Sequence, residues 1–217
     1  MCGRIVRSSS RQVIATEFGV SQFAGGDLAA RYNIAPSQNV ETIIRVEGEL
    51  RLGPMRWGIE CAPGARTRPI NVRAETVANS PQFADAFRRR RCLVVADGFY
   101  EWRQEEQGKK AYFIHLRSGR PFGLAGIWML RHETDGSKSA TCAILTCAPN
   151  DLMAPIHNRM PVIVAVDGRN RWLAAETTAL ELHERLVPFP SHEMEAYQVS
   201  PLVNSPRNDS PECIRPV

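Results

Sequence analysis

Two potential nucleophiles sit side by side at the head of this chain. Met1 is followed by Cys2, and initiator methionine is commonly removed before so small a residue, leaving a cysteine with a free α-amine beside its thiol. An α-amine has a reference pKa of about 7.7–8.0 against about 10.4 for lysine, so near neutral pH a usable fraction of it is uncharged and nucleophilic. If the amine condenses with an aldehyde, the thiol can close on the same carbon to give a five-membered thiazolidine, a step favoured by proximity. Many proteins begin Met-Cys without doing such chemistry, so the pair gains meaning only from the residues around it.

Three further clusters offer it partners. In Pro69-Ile70-Asn71-Val72-Arg73-Ala74-Glu75 the residues alternate strictly. Read as a strand, Ile70, Val72 and Ala74 face the core, while Asn71, Arg73 and Glu75 share the other face. The amide can orient a reacting group, the guanidinium can grip a phosphate with two hydrogen bonds, and the carboxylate can hold the arginine in place. In Ala96-Asp97-Gly98-Phe99-Tyr100-Glu101-Trp102, Glu101 ends a hydrophobic strand between two aromatics. Such surroundings raise a carboxyl pKa and suit general acid or base work, and Gly98 permits a bulge. The third cluster, Ala154-Pro155-Ile156-His157-Asn158-Arg159-Met160-Pro161, holds His157 in a proline-bounded polar loop, where an imidazole suits proton shuttling. Taken singly, each has a plain structural explanation: a solvated strand face, a strand-end charge, a structural histidine.

The elements that must position these groups are legible in outline. Ser9 and Gln12 have capping-box spacing and Ile14 with Phe18 forms an i, i+4 apolar pair, which predicts a short helix over residues 10–18. Residues 40–46 and 50–59 read as strands joined through Glu47-Gly48-Glu49, and a proline- and glycine-rich connection follows at 62–69. Ser80-Pro81 starts a helix with Phe83 and Phe87 inward, ended by the cations Arg88, Arg89, Arg90 and Arg91. Strands are expected over 92–102, 111–116, 122–130, 140–147 and 160–166, with turns at Gln107-Gly108, Ser118-Gly119 and Asp135-Gly136. Thr178 and Glu181 cap a last helix, with Leu182 and Leu186 inward and Pro188 beyond, and the tail from Ser200 reads as irregular. With no repeat and no long linker, the reading is one α+β domain over residues 1–217. Its sheet is extensive, mostly antiparallel and barrel-like, flanked by short helices.

Composition narrows the class. Of 217 residues, 43% are hydrophobic and 23% charged, which suits a globular protein. The longest apolar stretch, residues 122–130, falls far below the roughly 18 residues a membrane-spanning helix needs. A soluble, cytoplasmic protein with no membrane partner is expected. The net charge of +4 from 27 basic and 23 acidic residues permits a polyanionic partner without requiring one. None of the six cysteines forms Cys-x-x-Cys, so reduced thiols are expected. On a regular strand Cys142 and Cys147 would point to opposite faces, and no histidine pair has ligand spacing nearby, which argues against zinc; no metal and no cofactor are assigned.

Six blocks in order make the chain resemble a known family. They are Met1-Cys2-Gly3-Arg4; Arg31-Tyr32-Asn33-Ile34-Ala35-Pro36; Trp57-Gly58; Ile70 through Thr76; Asp97 through Trp102; and His157-Asn158-Arg159-Met160-Pro161. Together they resemble the SOS-response-associated peptidases, also called abasic-site processing proteins, over essentially the whole chain. The resemblance implies a single mixed α/β domain in which Cys2 crosslinks to abasic sites in single-stranded DNA and shields them. It implies that Cys2 is the nucleophile, that Asn71 orients the sugar, that Glu101 manages protons around the amine, and that His157 helps open the sugar ring and reverse the link. Arg73, Arg4 and Arg159 would sit on phosphates. Tyr32, Pro36, Trp57 and Trp102 would stack on or wedge against bases, or belong to the core. A monomer is expected, associated with the nucleoid if the source is bacterial. The chemistry is Schiff-base, lyase-like capture.

Two alternatives stand beside this reading, the first using the same residues. Cys2 with His157 also suits a cysteine peptidase or amidohydrolase, including one that removes its own Met1. Arg88 to Arg91 also suit a noncatalytic DNA-binding module, although a basic run at a helix end is more simply a solvated terminus.

Overall fold

The structure, a computed structural model, describes residues 2–26, 29–60, 67–132 and 136–217. Six strands come first: β1 (Ile5–Arg7), β2 (Gln22–Phe23), β3 (Arg31–Ile34), β4 (Asn39–Val46), β5 (Glu49–Trp57) and β6 (Asn71–Arg73). Then follow β7 (Arg91–Ala96), β8 (Gly98–Glu105), β9 (Gly108–Leu116), β10 (Phe122–His132), β11 (Lys138–Cys147), β12 (Met160–Pro161), β13 (Ile163–Val164) and β14 (Met194–Gln198). The helices are short: α1 (Arg11–Phe18), α2 (Ala74–Val77), α3 (Ala84–Arg89), α4 (Arg169–Leu173) and α5 (Ala179–Glu184). This is the expected α+β, barrel-like arrangement.

The β4–β5 hairpin begins a closed barrel. Strands pair in the order β5, β4, β7, β10, β11, all antiparallel, and a parallel seam from β11 back to β5 closes the ring through Thr141–Arg56 and Cys142–Trp57. Closure removes the free edges an open sheet would present. Its strands bury Ile43, Leu52, Leu93 and Ile127 on one face of the wall and Phe122, Leu124 and Ile144 on the other. Beyond the seam β6 continues along β11 in parallel, Asn71 opposite Ile144 and Arg73 opposite Thr146. A second, five-stranded antiparallel sheet runs β14, β9, β8, β1, β3.

The two sheets share one stretch of chain. The run expected as a single strand at 92–102 is two, β7 in the barrel wall and β8 in the second sheet, with Asp97 at the corner. Its carboxylate accepts hydrogen bonds from the backbone N–H groups of Ser8 and Ser9, at 2.6 and 2.8 Å, and from the Ser9 hydroxyl. Ser9 is therefore occupied, and the cap of α1 is Ser10, whose side chain accepts from the Val13 N–H. Gly98 does not form the expected bulge; it makes room for packing, since a Cβ there would lie 2.3 Å from the Phe113 ring.

Three other expectations change. The strand at 70–75 stops at Arg73, and Ala74 begins α2, so Glu75 leaves the strand face shared by Asn71 and Arg73. The strand at 160–166 is two short pieces followed by a 3-10 turn (Val166–Gly168). The helix expected from Ser80 begins only at Ala84. The basic run that closes α3 is used internally. Arg89 and Arg90 pair with Asp85, and the buried guanidinium of Arg91 donates to the carbonyls of Phe87, Arg88, Trp172 and Ala174. The capping box of Thr178 and Glu181 forms as read. Cys61, much of the 62–69 connection and the turn residue Asp135 lie outside the described residues, and no described helix is long and apolar enough to cross a membrane.

Candidate active site

The site is assembled where the barrel meets the second sheet. Cys2 leads directly into β1, which lies between β3 and β8. The register of β1 on β8 sets Ile5 against Phe99 and Val6 against Gly98, and the Tyr100 N–H donates to the Arg4 carbonyl at 3.0 Å. Continued toward the N-terminus, that register brings Glu101 alongside Gly3 and Cys2. Both Cys2 and Glu101 are buried, at 0% and 2% exposure.

Asn71 comes from the barrel side. Its side-chain N–H donates to the Cys2 carbonyl at 2.7 Å, tying β6 to the chain start, and its Oδ1 is left as a buried acceptor without a hydrogen-bond partner. An unpaired buried acceptor of this kind costs about 1–3 kcal/mol. Trp57 stands behind Asn71. It is fully buried, and its indole N–H donates to the Ile70 carbonyl at 2.9 Å. That corrects the expectation that Trp57 lines a DNA surface: it is core, and it fixes the backbone immediately before Asn71.

His157 is delivered by the loop before β12. Asn150 organises that loop, accepting from the Met153 N–H at 2.9 Å and donating to the Phe189 carbonyl at 2.6 Å. The Arg159 N–H donates to His157 Nδ1 at 3.0 Å. The Arg159 carbonyl lies 3.3 Å from the same nitrogen, so the backbone of one residue orients the ring, and the tautomer decides which of the two contacts is the hydrogen bond.

Electrostatics tie these groups together. Burial pushes the Glu101 carboxyl up, opposed by the amino-terminal charge and by His157. Burial first, and Glu101 second, push the Cys2 thiol far up, so it stays protonated through the neutral range. A cysteine peptidase needs the reverse, a thiol lowered by an adjacent imidazolium.

The residues assigned to DNA divide. Arg73 is exposed at the end of β6. Arg159 is already engaged: it meets both Glu75 oxygens, at 2.5 and 2.9 Å, and also donates to the Thr146 carbonyl. Glu75 thus holds Arg159 rather than Arg73. Arg4 donates to Asn33 Oδ1 and to the Val203 carbonyl, both at 2.7 Å, and lies 5.7 Å from the centre of the Trp102 ring. Trp102 is half-buried, its indole N–H bonded to Asn204 Oδ1 at 2.7 Å. Tyr32 and Pro36 are half-buried at and beyond the end of β3. Thr146, Val203 and Asn204, which hold these groups, carried no signal in the sequence because they lie more than 10 residues, and in two cases about 100 or more, from what they hold. Among the described residues no group of three histidine, cysteine or acidic side chains could hold a metal ion.

Barrel and second sheet thus set a buried cysteine near the head of the chain beside an amide and a carboxyl, with an imidazole within electrostatic reach of that carboxyl. The chain belongs to the SOS response associated peptidase (SRAP) family, whose profile matches residues 1–206. It is 40% identical to the abasic site processing protein YoqW of Bacillus subtilis (strain 168), over 99% of each chain. It is 29% identical to the abasic site processing protein YedK of Escherichia coli (strain K12), over 100% of both. A crystal structure of a Bacteroides thetaiotaomicron protein, 23% identical, has the same fold, with a TM-score of 0.87 over 100% of both chains.

Proposed function

We propose that this protein processes abasic sites, capturing the sugar aldehyde in single-stranded DNA as a thiazolidine on Cys2. The observation that carries the reading is the junction at Cys2, where Asn71 grips the carbonyl while buried Glu101 adjoins the same residue. The names of its relatives support abasic sites as the substrate.

The order of steps follows from the electrostatics. With Met1 removed, the α-amine is the nucleophile available at neutral pH, because the thiol keeps its proton. An abasic deoxyribose is mostly a closed hemiacetal, and His157 can pass a proton to the ring oxygen while taking up the proton of the C1′ hydroxyl, so that the imidazole ends unchanged as the aldehyde forms. The amine adds to C1′. Glu101, whose carboxyl burial pushes up, supplies the proton with which the hydroxyl leaves as water. The Cys2 sulfur then adds to the iminium carbon and loses its proton to the Glu101 carboxylate. Overall, aldehyde and aminothiol give thiazolidine and one water. Asn71 Oδ1 is the acceptor for a sugar hydroxyl during this sequence. Single-strand preference follows because C1′ must reach a buried residue, which an intact duplex cannot allow without distortion.

Intact-mass spectrometry after incubation with an abasic single-stranded oligonucleotide tests this. The expected product is the protein lacking Met1, plus the oligonucleotide, minus one water, stable to heat, and absent for Cys2→Ala. A heat-stable adduct of normal yield in Cys2→Ala would overturn the mechanism. Turnover of a peptide panel without any DNA adduct would replace it with the peptidase reading.

A further inference from the structure

Glu75 occupies the guanidinium of Arg159, a residue the sequence resemblance assigns to phosphate. Its two oxygens meet Arg159 with the paired geometry that a phosphate would use, at 2.5 and 2.9 Å. Arg159 is mostly covered, 16% exposed, and anchored from behind by the Thr146 carbonyl, whereas Glu75 is 51% exposed and free to swing outward. Arg73 is opposite Thr146 across the β6–β11 pairing, so the other arginine of the patch borders the same carboxylate. The guanidinium is therefore held rigidly, and its anionic partner is the part that can be exchanged.

We propose that Glu75 is a built-in competitor for DNA backbone phosphate at Arg159, one that must be displaced whenever a strand binds. This rests on the reading that single-stranded DNA is the partner. While unbound, the pair keeps Arg159 oriented and cancels one positive charge. On binding, phosphate replaces carboxylate, and the carboxylate returned to solvent takes up a cation. The exchange weakens attachment to undamaged strands, so that a lasting complex depends on the covalent step at Cys2.

The test is a double-mutant cycle on binding to oligothymidylate, read by fluorescence anisotropy over a salt series. Glu75→Gln should bind roughly two- to five-fold more tightly at low salt, the size expected for a half-exposed ion pair. Its plot of log K against log salt should steepen by about 0.7, the size of one phosphate contact on a single strand, because no released carboxylate takes up a cation to offset the contact at Arg159. In an Arg159→Gln background the same substitution should give no gain. An equal gain in that background would reduce Glu75 to a general repulsive charge, and weaker binding by Glu75→Gln with an unchanged melting temperature would overturn the proposal outright. Should Glu75→Gln fail to fold, Glu75→Asp, too short to meet both guanidinium nitrogens, is expected to tighten binding in the same direction; unchanged or weaker binding overturns the proposal. Adduct formation on abasic DNA by the unmodified protein is scored separately, so a failure of the Cys2 chemistry leaves the binding cycle to judge Glu75 alone.

Discussion

Glu101 concentrates the conflict between stability and chemistry in one side chain. Burial raises its pKa, so the native carboxyl keeps its proton to higher pH than the unfolded chain does. Above the unfolded value of about 4.3 the unfolded state has already released that proton, and stability declines as pH rises through the native value. Glu101→Gln is therefore expected to melt higher than the parent at about pH 8 and to lose that advantage below about pH 4. Melting curves across that span check it. A variant no more stable at the alkaline end would mean that His157 and the amino-terminal charge outweigh burial. The same substitution removes the proton donor proposed for iminium formation, so the firmer protein should form adduct more slowly, the usual exchange of stability for function at a site.

At the scale of elements, β8 matters most because it carries Glu101, and its first residue tolerates no side chain. A Cβ on Gly98 would approach two atoms of the Phe113 ring to 2.3 Å and the Ile114 carbonyl to 2.8 Å. Gly98→Ala should destabilise by about 1–3 kcal/mol, measured by urea unfolding, since a buried ring and a ladder carbonyl must both give way. An unchanged midpoint would mean that the ring swings aside.

Much of this level was legible. The hairpin around Gly48, the strands of the barrel wall and the Thr178 cap all follow from period-two alternation and capping chemistry. The chain corner at Asp97 was hidden because β7 and β8 are both rich in apolar and aromatic residues, so the pattern continues unbroken through a change of sheet. Glu75 was misassigned because Ala74 and Val77 suit a buried helix face as well as Ala74 suits a strand face. Trp57 was misassigned because an indole suits a base-stacking wall and a core equally, and only closure of the barrel at Cys142 decides between them. Cys2, Asn71 and Glu101 lie together in the structure, whereas the pairing of Arg159 with Glu75, separated by 84 positions, had no local mark.

For the molecule as a whole, the C-terminal tail acts as a strap. Read as irregular, it contains two 3-10 turns (Pro201–Asn204 and Pro211–Ile214) and is ordered by hydrogen bonds, which leave no periodicity in a sequence. Asp209 accepts from the backbone N–H groups of Tyr32 and Asn33 and pairs with Arg31, while the Asn33 side chain donates to the carbonyls of Val203, Ser205 and Asn208. The edge of β3 is thereby covered by the tail. Asp209→Ala should cost about 1–3 kcal/mol, because two backbone donors and a guanidinium lose their acceptor together. Chemical denaturation reads this directly, and an unaltered midpoint would make the tail a passenger.

At the bend marked by Asp97, barrel wall and Glu101-bearing strand are one ribbon, pinned at its crease to Ser8 and Ser9. On the proposed capture of single-stranded DNA at Cys2, that ribbon serves as a fixed socket and the burden of deformation would fall on the strand: slack, kinked or frayed stretches should enter, and stiff, well-stacked ones should be turned away by their own rigidity.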